Sequence, residues 1–199
     1  MAEFLETMVD DLSFQRVVRA MLPVLYQELD RPEETAAAWR AAVDGVEDVP
    51  RDAAWLVHMW ALGSTCRFAG GIDRAEELYH LVLPFADRWA VATSSICFGP
   101  MGLPLGVLAS TLGWHEVAVT HLENAVAAAP AVPAPVFEAA AEVELAASLL
   151  VSGLRSVQDR AAMLLVHARE ICSELGLASL LALVDRLAAT LDGPPAALE

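Results

Sequence analysis

The sequence predicts an all-α protein built from a series of helical hairpins. Apolar residues recur at helical spacing along nearly the whole chain of 199 residues, and no run alternates apolar and polar residues for long enough to predict a strand. The hydrophobic fraction of 56% is too high for a disordered chain. A glycine follows each of five apolar runs, where the left-handed end of a helix is expected. These glycines are Gly45, Gly70, Gly113, Gly153 and Gly176.

We predict one domain over residues 1–199, with eight or nine helices joined mostly by short turns. The predicted helices cover residues 14–29, 33–44, 51–69, 72–86, 100–112, 114–129, 134–152, 156–175 and 177–191, with a further short helix near 3–10. They form hairpin units over residues 14–45, 51–87, 99–130 and 134–175, and the helix at 177–191 closes the domain. Pro23 is expected to kink or divide the first helix, because proline removes a backbone donor. Residues 87–99 are expected to form a loop that either narrows a groove or serves for self-association.

The charge composition excludes several classes of function. The chain has 27 acidic and 12 basic residues, a net charge of −15, and every basic residue is Arg. Without Lys the chain cannot carry a phosphate-loop ATPase motif, a Schiff-base lysine or a pyridoxal phosphate linkage. The acidic balance argues against direct binding of nucleic acid or of an anionic membrane.

Two further observations suggest a cytoplasmic location. Residues 89–114 carry no Asp, Glu or Arg, but glycines and prolines interrupt them, which predicts a loop and a buried helix rather than a membrane span. Cys66, Cys97 and Cys172 are few and odd in number, which is typical of reduced thiols rather than of a disulfide scaffold.

Two segments share a spaced pattern of small residues. It comprises a glycine, a second glycine seven residues later, an alanine five residues after that, and a large apolar residue four further on. The pattern occurs at Gly63, Gly70, Ala75 and Tyr79, and again at Gly106, Gly113, Ala118 and Leu122. We expect the small residues to let the two helices of one hairpin approach closely, and the large residue to fill the space between neighbouring hairpins.

The alanine position of this pattern recurs at Thr35, Ala75, Ala118 and Ala161, at intervals of 40, 43 and 43 residues. The pattern is that of the tetratricopeptide repeat, whose usual period is about 34 residues, so these units are longer. The prediction is therefore a tetratricopeptide-like right-handed superhelix of about four hairpins plus a terminal helix. The alternative is a generic helical bundle in which the small residues recur by chance.

Five segments resemble the C-terminal helical-repeat region of bacterial multidomain ATPase regulators, namely the MalT-like and LuxR-type transcriptional regulators and related cyclase-associated ATPases. The segments are residues 49–55, 74–79, 83–88, 105–113 and 121–125, and the resemblance spans about 14–185. It implies an upstream ATPase domain, with either a downstream helix-turn-helix domain or an N-terminal cyclase domain. The chain is accordingly expected to be a fragment of such a regulator, whose repeats sense an inducer or a partner protein.

The concave face of such a superhelix is formed by the first helix of each pair. The candidate binding residues on this face are Gln27, Glu28, Trp60, Ser64, Arg67, Phe68, Val107 and Ser110. Arg67 would be the charged anchor of a groove that also presents Trp60. The alternative is that Trp60 and Phe68 only pack while Arg67 is solvated.

No catalytic or metal-binding pattern is found in the sequence. His58, His80, His115, His121 and His167 have no metal-ligand spacing and are expected to be isolated surface or capping residues. We therefore predict no cofactor and a non-catalytic sensor or protein-interaction module that binds a peptide, a partner domain or an inducer. The alternatives are a small-molecule inducer-binding domain and a stand-alone dimeric adaptor, while an all-α enzyme is the least favoured class.

Overall fold

The computed structural model describes residues 12–92, 96–151 and 155–192, and these residues are mainly helical. Its described α-helices are α1 Leu12–Glu28, α2 Pro32–Val43, α3 Trp55–Thr65, α4 Ile72–Val82, α5 Gly102–Thr111, α6 His115–Ala128, α7 Pro135–Val151, α8 Arg155–Leu175 and α9 Ala178–Asp192. Short 3-10 helices follow α2, α4 and α6 at Val46–Asp48, Leu83–Phe85 and Ala129–Ala131. The predicted helix near 3–10 and the predicted helix end at Gly153 lie outside the described residues.

The ends of the helices agree with the sequence prediction at most places. Four of the predicted glycines, Gly45, Gly70, Gly113 and Gly176, have φ between 67° and 76°. Helix α1 runs on through Pro23, so of the two effects expected of this proline, a kink or a division of the helix, the division does not occur. Helix α3 begins only at Trp55, because residues 51–54 form a turn in which the carboxylate of Asp52 accepts the backbone N–H of Ala54 at 3.0 Å.

Most of residues 87–99, expected as a loop, belong to a β-hairpin whose second strand ends at Pro100. Strand β1 Trp89–Ala92 pairs antiparallel with β2 Ile96–Pro100, with Trp89 opposite Pro100 and an irregularity between Ala90 and Val91. The expectation that the chain has no strands is wrong here, since strands of four and five residues are too short for an alternating pattern to stand out. The ladder pairs backbone groups of the two strands, neither of which carries a charged side chain. None of the described helices has the length and apolar character that crossing a membrane requires.

The helices pack as successive hairpins. The two helices of each pair are in contact, and α1, α3, α5 and α7 contact one another in that order, while α9 packs on α8 and α7. The recurring small positions Thr35, Ala75, Ala118 and Ala161 are all buried on the second helix of their pairs. The large residues four positions later are Trp39, Tyr79, Leu122 and Leu165, and these are buried as well. The register of small and large residues read from the sequence therefore coincides with the core.

The two glycines of this pattern serve different contacts. A Cβ added to Gly106 would lie 2.3 Å from Cγ of Leu122, so α5 and α6 of one hairpin meet at this glycine. A Cβ on Gly63 would instead lie 2.7 Å from Cβ of Pro104, which belongs to the first helix of the next hairpin. The prediction that Gly63 admits its own hairpin partner is therefore wrong. Leu122 meets Gly106 of its own hairpin and also belongs to the buried cluster that contains Ala139 and Leu165 of the next hairpin, in keeping with its expected place between hairpins. Local spacing alone does not distinguish the two sides of a helix that has neighbours on both.

Trp39 joins the first two hairpins, and we predict that Trp39→Phe lowers the free energy of unfolding by about 1–2 kcal/mol. The side chain is 1% exposed, and its Nε1–H donates to the carbonyl oxygen of Leu62 at 2.8 Å. Phe keeps a ring but loses this hydrogen bond and part of the volume. Urea unfolding followed by circular dichroism measures the change. Trp114→Phe is the matched control, since Trp114 is only partly buried, and an equal loss in both variants would contradict this role of Trp39.

Candidate functional site

A groove of about 230 Å³ lies between the first helices of the hairpins and α9. We call it the inner groove and define it by its lining residues Val24, Gln27, Glu28, Trp60, Ser64, Thr65, Phe68, Leu103, Val107, Val136, Phe137, Ala140, Glu144, Leu177, Leu180 and Leu183. A second depression of about 180 Å³ shares part of this lining and adds Asp30, Ser179 and Arg186. The inner groove therefore extends towards the surface between the end of α1 and the start of α9. There the Oγ–H of Ser179 donates to the carbonyl oxygen of Glu28 at 2.7 Å.

Most of the predicted binding residues meet at this groove. Gln27, Glu28, Trp60, Ser64, Phe68 and Val107 all line it. Arg67 lies behind the lining and bonds to one of its members, Glu144. Ser110 lies beside it and shares a hydrogen bond of 2.8 Å with Ser148 of α7. The two predicted residues outside the lining are thus committed to neighbouring side chains.

Four buried polar atoms of the lining have no hydrogen-bond partner among the described residues. They are Oε1 of Gln27, Nε1 of Trp60, Oγ of Ser64 and Oε2 of Glu144. A buried polar atom without a partner costs about 1–3 kcal/mol, and most such atoms in folded proteins are paired. They come from α1, α3 and α7 and lie in one apolar groove, which makes the inner groove the candidate site.

Glu144 is held in place by Arg67. Nη2 of Arg67 lies 2.9 Å from Oε1 of Glu144, and the guanidinium also lies over the ring of Phe68 at 5.0 Å from its centroid. Only 10% of the Glu144 side chain is exposed. Burial raises the pKa of this carboxyl, an effect that the charge and hydrogen bond of Arg67 oppose. Oε1 is therefore taken, whereas Oε2 is buried without a partner in a residue that lines the groove.

The β-hairpin supports the aromatic wall of the groove. Phe98 lies against Trp60 with ring centroids 6.2 Å apart, and Trp89 lies edge-on to Phe137 at 5.9 Å. Gly99 has φ of 132° and faces both wall residues: an added Cβ would come within 3.2 Å of Nε1 of Trp60 and of Cδ1 of Phe137. Residues 87–99 were expected either to narrow a groove or to serve for self-association, and the structure places the β-hairpin of this segment against the inner groove.

Sequence reasoning missed two walls of the groove. Helix α7 contributes Phe137 and Glu144. The other wall is formed by Leu180 and Leu183 of α9 and by Leu177 directly before it, which were assigned only to a terminal helix. The missed signal for α7 is the pair Glu142 and Glu144 inside an otherwise apolar run over residues 139–151. Carboxylates in such a run are buried with α7, and a buried carboxylate needs a partner. The leucines of α9 give no comparable signal.

Three of the histidines differ from the expected isolated surface residues. His58 is buried, and burial lowers its pKa. Nε2 of His121 lies 3.0 Å from the hydroxyl of Tyr79, and burial lowers the pKa of His121 also. Nδ1 of His167 lies 2.8 and 2.9 Å from the two carboxylate oxygens of Glu142. The three cysteines were expected to be small buried residues; Cys66 and Cys172 are buried, whereas Cys97 is only partly buried. Burial raises the pKa of the Cys66 thiol to about 12.

Glu142 and His167 form an ion pair between α7 and α8. Together with Glu138 they offer three possible ligand atoms within 4.8 Å of one another. The direct hydrogen bonds between His167 and Glu142 already account for this geometry, so we assign no metal to it. The hydrogen bond and charge of Glu142, with the charges of Glu138 and Glu170, raise the pKa of His167, although desolvation opposes them.

This ion pair predicts a pH-dependent difference between the wild type and His167→Gln. A histidine whose pKa is raised on folding stabilises the folded state below its unfolded pKa of about 6.5. The stabilisation is lost as the pH rises through the folded pKa. We therefore expect the free energy of unfolding of the wild type to be higher than that of the variant at pH 6. The difference between the two free energies is expected to narrow by pH 8.5. Urea unfolding across this range measures it, and a constant difference would contradict the pairing.

A wider surface cleft of about 490 Å³ lies between α2 and α4. Arg40 and Arg74 line this cleft, and Arg74 is committed to Glu77 at 2.7 Å and to Glu47 at 3.4 Å. In the part of the chain that the structure describes, none of the unpartnered buried polar atoms belongs to a residue lining this cleft. The inner groove is therefore the better candidate site.

The inner groove combines apolar walls with a few fixed polar atoms. Two of these atoms are acceptors, from Gln27 and Glu144, and the indole N–H of Trp60 is a donor. Such a lining recognises the shape and hydrogen-bonding groups of a small molecule. No protein-family model, curated protein or solved structure shows significant similarity to this chain.

Proposed function

We propose that this chain is a non-catalytic sensor domain that binds a compact small molecule in the inner groove. The observation that carries the proposal is the set of four unpartnered polar atoms inside one apolar groove. A volume of about 230 Å³ exceeds the roughly 150 Å³ that holds a benzene ring, and it is below the range of about 300–1,000 Å³ typical of drug-sized ligands. The site therefore suits a ligand of one ring or a short branched chain.

The size of the groove favours a small molecule over an extended peptide. The leucines of α9 line the groove, and Ser179 ties the start of α9 to the end of α1. An extended peptide would need an open concave face, which α9 partly covers. A small molecule needs only the passage beside Asp30 and Arg186.

A right-handed superhelix of tetratricopeptide type is the architecture that we propose for the array. The contacts among α1, α3, α5 and α7 and the buried register of small residues support it. The resemblance to the repeat region of MalT-like and LuxR-type ATPase regulators supports a place in a cytoplasmic bacterial regulator. In that setting, occupancy of the groove would be sensed by a partner domain.

Thermal unfolding with a fragment panel tests the proposed function. The panel consists of one-ring and branched aliphatic compounds of up to about 12 heavy atoms, for which the efficiency of small ligands allows measurable affinity. We expect at least one compound to raise the melting temperature saturably, because a ligand that binds only the folded state stabilises it. Ala140→Phe, which fills the groove, is expected to abolish the rise. Ala127→Phe on the exposed face of α6 is the matched control.

Two outcomes of this screen would overturn the proposal. One is the absence of any saturable rise in the wild type. The other is an equal rise in Ala140→Phe and in the wild type, which would place the binding site elsewhere.

A protein partner, including a second copy of this chain, is the second candidate. It is favoured by three exposed apolar residues at spacings of seven and four residues, Val18 and Leu25 on α1 and Leu29 directly after it. Light scattering of the purified chain measures its mass. A mass of twice 21.3 kDa would support a homodimer, and a monomer mass would exclude it.

A further inference from the structure

The polar atoms of the inner groove are mainly acceptors. Oε1 of Gln27 is an acceptor, and Oε2 of Glu144 is solely an acceptor when the carboxyl is ionised. Oγ of Ser64 can also accept a hydrogen bond. A ligand that satisfies them must bring N–H or O–H donors. The indole N–H of Trp60 remains for an acceptor or a π-system on the ligand.

The charges around the groove favour a cation. Among the described lining residues two are acidic, Glu28 and Glu144, and none is Arg. Arg67, a cation that touches a lining residue, is already bonded to Glu144. The outer depression adds Asp30 and Arg186, whose charges cancel. The chain as a whole carries −15, so its field attracts cations and repels anions.

The walls suit the body of an organic cation. Trp60, Phe68 and Phe137 present aromatic rings, which attract an ammonium group as well as an apolar body. The leucines of α9 add an aliphatic side. Glu144 is fixed by Arg67, and Arg67 in turn lies over Phe68, so the acceptor does not have to be ordered when a ligand binds.

We propose that the ligand class of the inner groove is a compact primary amine in its protonated form, with an apolar body of one ring or a short branched chain. Its ammonium donates to Oε2 of Glu144 and is assisted by Oε1 of Gln27, while its apolar body lies against Trp60 and the leucines of α9. This inference rests on the proposed function, because it names the ligand for the same groove.

Matched ligands that share one skeleton test the charge. The probes are 2-phenylethylamine, 2-phenylethanol and phenylacetate, and isoamylamine, isoamyl alcohol and isovalerate. Affinities are measured at pH 7.4 by isothermal calorimetry on the full chain. We expect each amine to bind at least about tenfold more tightly than the alcohol of the same skeleton, as a charge-assisted hydrogen bond is roughly twice as strong as a neutral one. The carboxylates are expected to bind least.

A variant locates the preference at Glu144. Glu144→Gln keeps the shape of the side chain but removes the charge, and we expect it to reduce amine affinity to that of the alcohol. Glu76→Gln is the control, since Glu76 is an exposed acid on α4 away from the groove. The comparison of amine, alcohol and carboxylate affinities in the wild type does not depend on the stability of either variant.

The outcomes separate the two proposals. Alcohols or carboxylates that bind as tightly as the amines would overturn the amine assignment and leave a small-molecule site. An amine preference that persists in Glu144→Gln would also overturn the assignment, because the charge would then be read elsewhere. No binding by any of the six probes would overturn the amine assignment, and the fragment panel decides separately whether the groove binds a compact molecule at all.

Discussion

Arg67→Met is expected to lower the free energy of unfolding by about 3 kcal/mol at pH 7.5. The substitution keeps most of the side chain's length but removes the guanidinium from the 2.9 Å contact with Glu144. The carboxyl group is then left buried and without a counter-charge. Removal of one partner from a buried ion pair costs about 3–5 kcal/mol, and we take the lower end because Arg67 is one-third exposed.

The effect of Arg67→Met has a definite pH dependence. Burial already raises the pKa of Glu144, and without Arg67 this pKa rises further. A carboxyl whose pKa is higher in the folded than in the unfolded state binds protons preferentially when folded. Acid therefore favours the folded variant, and the deficit relative to the wild type is expected to shrink between pH 7.5 and pH 5.

Urea unfolding at several pH values measures this deficit. The double variant Arg67→Met/Glu144→Leu is the control, and it is expected to be more stable than Arg67→Met because an apolar pair can replace a buried ion pair at little cost. A variant Arg67→Met with wild-type stability, or with a deficit that does not change with pH, would show that Glu144 is not dependent on Arg67.

Gly106→Ala is expected to lower the free energy of unfolding by about 2 kcal/mol, although alanine is the better helix former. The added methyl group would lie 2.3 Å from Cγ and 2.6 Å from Cδ2 of Leu122, and Leu122 is fully buried. Helices α5 and α6 would have to move apart to admit it. The cost of overpacking exceeds the gain of about 1 kcal/mol in helix propensity.

The sign of this effect depends on Leu122. In a Leu122→Ala background the space beside residue 106 is open, so only the helix propensity of alanine remains. Gly106→Ala is then expected to stabilise the protein by up to about 1 kcal/mol. A double-mutant cycle by urea unfolding measures the coupling. The same destabilisation in both backgrounds would contradict the close approach of α5 and α6 at this glycine.

Much of the fold follows from local signals in the sequence. The helices agree with their predicted ranges at most ends, and a glycine with positive φ follows several of them because only local backbone geometry decides such a position. The buried register at Thr35, Ala75 and Ala118 could also be predicted, since it depends on a spacing along one helix. The side of each helix on which Gly63 meets a neighbour depends on the three-dimensional arrangement, and there the prediction was wrong.

The candidate site also has a part that local sequence predicts and a part that depends on the three-dimensional arrangement. Gln27, Trp60 and Ser64 were predicted from the register of first helices, and they line the inner groove. The partner of Arg67 could not be predicted, because Glu144 lies 77 residues away along the chain and meets it only through packing of α7. The β-hairpin was missed because short strands carry little periodic signal, although it supports the aromatic wall at Trp60.

The indole resonance of Trp60 gives the most direct measurement of whether the inner groove binds a compact molecule. The chain has five Trp residues, and the Trp60→Phe variant identifies this resonance in a ¹H–¹⁵N spectrum. Because Nε1 of Trp60 has no partner among the described residues, while Nε1 of Trp39 is bonded to Leu62, a bound fragment should shift the first and leave the second in place. We predict a saturable shift of the Trp60 indole on titration with 2-phenylethylamine. Saturable binding that leaves the Trp60 indole unmoved would contradict the account, and so would shifts confined to other tryptophans.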